Sequence, residues 1–82
     1  MHLFVAYLGG ELASGRMGED HEVVFVVAED VRSARQAAKA KWGGGGRPHV
    51  DALTKVERVD GYAIGLRPDG AGDVTETEGY NA

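Results

Sequence analysis

Two short, nearly continuous apolar runs constrain this chain more than anything else in it: LFVAYLGG at residues 3–10 and HEVVFVVAED at 21–30. Both are rich in Val or Phe and closed by Gly-Gly or Glu-Asp, so each reads as a buried strand. In Leu3–Leu8 apolar side chains fill both phases of the alternation, which predicts a central strand covered on both faces and ended by Gly9 and Gly10. Residues 11–20 (ELASGRMGED) add two more glycines and show little periodicity, the pattern of an exposed loop. The second strand is expected over Glu22–Ala28.

Glu29 or Asp30 then offers a carboxylate to the orphan amides of a following helix. The spacing predicts that helix over Val31–Trp42, with Val31, Ala34, Ala38 and Trp42 on one face and Ala37 beside them. A face made mostly of alanines can sit close on a sheet, with Trp42 as its one large anchor. Gly43–Gly46 stop the helix, and Pro48 keeps it from resuming.

A third strand is expected over about His49–Val59. It leads into Asp60-Gly61, the strongest short hairpin signal, because a type I′ turn needs positive φ at both central positions. The fourth strand would be Tyr62–Leu66, with Val59 opposite Tyr62 and Glu57 opposite Ile64. From Arg67 onward the chain is polar and rich in Gly and acids, so 67–82 reads as a disordered tail, with Val74–Glu78 as an optional edge strand.

The sequence thus predicts a single α+β domain over 1–66. Its order is β-β-α-β-β, a four-stranded, mostly antiparallel or mixed sheet with one helix packed on one face. One helix covers only one face of such a sheet, so the apolar residues on the other face call for a second cover. A domain of 82 residues with no cysteine has neither disulfide nor thiolate metal staple and buries only roughly 60% of its unfolded surface. Both points predict a homodimer or docking to a protein partner. With no signal-like or membrane-spanning apolar stretch, the expected setting is the cytoplasm, away from membranes.

Five elements also come in a recognisable order: LFVAYLGG, HEVVFVVAED, Trp42 at the helix end, HVD at 49–51 and VDGY at 59–62. Over residues 1–66 the chain resembles the bacterial domain of unknown function 1543 family of small proteins. Many of the relatives it resembles are longer, with a second, similar half, which fits the pairing of two copies expected here. The family has no established activity, so the resemblance carries over no catalytic or binding residue.

Three polar constellations remain. His49 and Asp51 are two apart on a strand and share a face. If the second and third strands begin side by side, His21 joins them, and two imidazoles with a carboxylate suit a divalent metal or acid–base work. Neither spacing is a recognised ligand motif, and strand-start residues satisfying loop amides are the plainer reading of these positions, as of His2. The glycines at 43–46 follow a helix, whereas a phosphate cradle precedes one, so they read as a helix stop. The third constellation is basic.

Between Val31 and Val50 lie five bases (Arg32, Arg35, Lys39, Lys41, Arg47) and no acid, although the net charge is −4. Arg32, Arg35 and Lys39 share a helix flank with Arg47 nearby, a surface for phosphates or an acidic partner. Net acidity and the commitment of Trp42 and Tyr62 to packing disfavour nucleic acid, and a solvated helix face is the plainer reading. No Ser-His-Asp order, paired carboxylates or dinucleotide fingerprint marks an enzyme class, and nothing calls for a cofactor.

Overall fold

A computed structural model of the chain describes residues 1–11 and 20–73. Its elements are β1 (His2–Glu11), β2 (Asp20–Ala28), α1 (Val31–Ala40), β3 (Gly45–Val56), β4 (Arg58–Val59) and β5 (Tyr62–Ala63). β1 is central, as its two-sided apolar pattern required, and pairs antiparallel with β2 on one side and β3 on the other. Gly9 and Gly10 do not end it; they continue the ladder, opposite His21 and Asp20 on β2.

The expected four-stranded sheet is replaced by a three-stranded sheet, β2-β1-β3, and a separate two-stranded hairpin, β4–β5. The register explains the difference. Leu3 pairs with Val56 and β1 begins at His2, so Arg58 and Val59 lie past the start of β1 in this register and pair within the hairpin instead. The hairpin then forms on its own turn: Asp60 and Gly61 have φ of 53° and 84°. Val59 pairs with Tyr62, and the Ile64 amide donates to the Glu57 carbonyl at 2.9 Å. Further pairing along β3 would run through Gly65 and reach Pro68, a poor strand former and a residue with no N–H to donate.

β3 carries an irregularity that sequence alternation did not show. Tyr7 pairs with Ala52 and Leu8 with Val50, leaving Asp51 as the extra residue of a bulge. The bulge resets the phase, so that Val50 and Leu53, three apart, both pack against the core. That core is Phe4, Ala6 and Leu8 of β1, Val26 and Ala28 of β2, and Ala34 and Ala38 of α1. Asp30 caps the helix by accepting from the Ser33 amide at 2.8 Å. This bond and the Ser33 side chain hold its carboxyl below the ordinary carboxylate range.

The helix ends at Ala40, two residues before Trp42. Trp42 packs against the core from the loop instead, its indole N–H donating to the Gly45 carbonyl at 3.2 Å. A Cβ on Gly10 would lie 2.9 Å from Trp42 Cζ2, so glycine is what lets the ring sit on β1. The four-glycine stretch is shared: Gly43 and Gly44 link, while Gly45 and Gly46 already begin β3. Residues 67–73 contain neither helix nor strand, and the expected strand at 74–78 lies outside the described residues. No helix among the described residues is long and apolar enough to cross a membrane.

Candidate functional site

Strand alternation leaves one face of the sheet without a helix. The odd-numbered positions of β1 and β2 point there, and the register lines them up in rows across the three strands. One row is Val27–Leu3–Val56, the next Phe25–Val5–Thr54, the next Val23–Tyr7–Ala52, and the last His21–Gly9–His49. The first three rows contain no charged residue. Tyr7, Val23, Phe25 and Val27 are each 42–54% exposed, on the same strands that bury Phe4, Leu8 and Val26 on the opposite face.

The fourth row gathers the histidines. β2 and β3 are not neighbours; they flank β1, and Gly9 between them has no side chain to separate the two imidazoles. The bulged Asp51 completes the group. His21 Nε2 lies 3.6 Å from one Asp51 carboxylate oxygen, and His49 Nε2 lies 3.4 Å from the other. Tyr7 stacks on His21 with ring centroids 5.0 Å apart and planes within 4°. His2 lies at the opposite end of β1, paired with Ala28.

The condition set for His21 joining His49 and Asp51, that β2 and β3 begin side by side, is not met, yet the three side chains lie together across β1. One carboxylate is shared by two imidazoles, each of which forms an ion pair with it when protonated. The separations exceed the 2.7–3.2 Å or so of a good hydrogen bond, and the side chains are 36–55% exposed. Such pairs contribute only about 0.2–1 kcal/mol each. Among the described residues, no group of three or more His, Cys, Asp or Glu side chains is arranged to hold a metal ion.

The basic helix flank is also in place. Arg32, Arg35 and Lys39 are exposed on α1, and Arg47 is exposed near the start of β3. Lys41 belongs to a different arrangement: its Nζ donates to the Phe25 carbonyl at 2.6 Å and to Asp73 at 2.9 Å. Tyr62, expected to be held by the sheet, is 75% exposed, because its strand belongs to the detached hairpin. The hairpin is where the sequence places it, but its detachment from the sheet, and so its exposure, depends on the long-range register that sets β4 past the start of β1.

Comparison with known proteins finds one family. The model for Domain of Unknown Function (DUF1543) matches residues 16–66, more than half of the chain, beginning after the first strand. No curated protein and no solved structure matches.

Proposed function

The chain belongs to the DUF1543 family, and we propose that it is a non-enzymatic interaction module whose working surface is the open sheet face, occupied by a second copy. The observation that carries this reading is the three uncharged rows, Val27–Leu3–Val56, Phe25–Val5–Thr54 and Val23–Tyr7–Ala52, which no other described residue covers. A sheet that normally faces water alternates apolar with polar residues; here β1 and β2 are apolar in both phases. Two such faces stack about 10 Å apart with side chains interdigitating. An uncharged patch meets its own copy at no electrostatic cost, although the whole chain is acidic. A bacterial, cytoplasmic setting goes with this proposal.

Sedimentation equilibrium over a wide concentration range tests it. The parent should dimerise, and Phe25→Asp should be monomeric with an unchanged far-ultraviolet spectrum. A parent that stays monomeric throughout would refute self-association and leave this face to a different protein.

The convergence of His21, His49 and Asp51 favours a second reading, a metal or acid–base site. Zinc calorimetry decides: binding lost in His49→Ala supports the site, and no binding by the parent removes it.

A further inference from the structure

We propose that the β4–β5 hairpin is an exchange arm, which in the dimer lies across the open sheet face of the other copy; this rests on the sheet-face dimer proposed above. The described residues leave two apolar surfaces uncovered. One is the sheet face. The other is the hairpin, whose Val59, Tyr62, Ile64 and Leu66 are 37–75% exposed. A lone two-stranded hairpin is marginal in water and needs a surface to pack on. Within the described part of its own chain it finds none, because it leaves the sheet past the first residues of β1.

Area favours joining the two surfaces. Taking a large apolar side chain at about 150–250 Å², the four most exposed residues of the face offer only on the order of 300–500 Å². A standard interface takes ~800 Å² from each partner. The four arm residues add a similar amount, which brings the total to on the order of 700 Å² per chain. Neither surface alone reaches the roughly 600–1,000 Å² per partner spanned by standard interfaces; face and arm together do.

Symmetry allows both copies to make the exchange at once. The arm departs at the Val56 end of the face. A two-fold axis across the strands sets that end over the Gly9 end of the other copy, so each arm reaches its partner's Tyr7–Val23 row while the remaining apolar rows face one another.

The test places a photoreactive benzophenone amino acid at position 62 in the full chain. Mixing nitrogen-15-labelled and unlabelled protein marks the links that cross between chains. Inter-chain links should fall on residues 3–9 and 21–27, and Tyr62→Ala should weaken dimerisation by about tenfold or more with unchanged circular dichroism. In a dimeric parent, links confined to one chain or falling on α1 overturn the arm and leave the sheet-face dimer standing. A parent monomeric at every concentration overturns both.

Discussion

Phe25→Ala separates the folding role of the sheet from its docking role. Phe25 is 48% exposed and projects from the face opposite the helix, so its ring contributes nothing to the buried core. A phenylalanine of about 200 Å² so placed leaves about 100 Å² uncovered. At about 25 cal/mol per Å², covering that area stabilises a dimer by ~2.5 kcal/mol for each chain, or ~5 kcal/mol for the pair. Area converts to affinity at less than this rate, because ordering side chains at the interface costs free energy. The expected weakening is therefore about 10²–10³-fold, with 1.4 kcal/mol or so per tenfold. Within the monomer the ring loses mainly its cross-strand contact with Val5, worth about 0.2–1 kcal/mol. Sedimentation equilibrium measures the first quantity, and urea unfolding at high dilution measures the second. A dissociation constant within about threefold of the parent's would refute the claim that this face is covered in the dimer.

Leu8→Ala should do the reverse. Leu8 is fully buried against the helix, so truncation should cost about 2–5 kcal/mol in urea unfolding, and a loss of less than about 1 kcal/mol would mean that the core lies elsewhere. Gly10→Ala sets a methyl 2.9 Å from Trp42 Cζ2; it should cost about 1–3 kcal/mol and shift the fluorescence of the chain's single tryptophan, and an unchanged spectrum and stability would contradict the packing. Asp30 gives a pH test. Its carboxyl is held below the ordinary range by Ser33, so its contribution is present above the unfolded-state pKa and is lost as pH falls through the folded one. The stability gap between the parent and Asp30→Asn should therefore close in acid, and a gap constant from neutral pH down to strong acid would refute the cap.

What the sequence made legible was local. The strand signals of β1 and β2, the carboxylate cap at Asp30 and the Asp60-Gly61 turn each follow from a few adjacent residues. Even the pairings Val59–Tyr62 and Glu57–Ile64 follow from the turn alone. What was not legible depends on contacts between distant segments. Simple alternation along HVDALTKV puts Val50 on the face of Ala52 and opposite Leu53; the bulge at Asp51 overrides this because Val50 and Leu53 must both reach the helix-covered core. The hairpin's detachment depends on where β1 begins relative to β3. The His21–Asp51–His49 group was partly legible, since His49 and Asp51 share a face at a spacing of two. Its third member is brought in across Gly9, a position that looked like a strand end.

The protection of the edges bears on which surface associates. A sheet with bare outer strands invites edge-to-edge pairing, which need not close and can propagate into fibres. Here the β2 edge is engaged at its middle, where Lys41 donates to the Phe25 carbonyl and is itself paired with Asp73. On β3, Pro48 offers no N–H, and the bulge at Asp51 breaks the ladder three residues later. Both edges thus resist a further strand, while the face between them stays apolar and uncharged across three rows. In the proposed dimer, face-to-face contact about a two-fold axis closes after two copies, because the described residues form one such face and the helix covers the other. The same residue, Asp51, serves both ends of this arrangement. Its insertion disrupts the edge, and its carboxylate draws the two histidines over Gly9, so the apolar rows end in a polar seam.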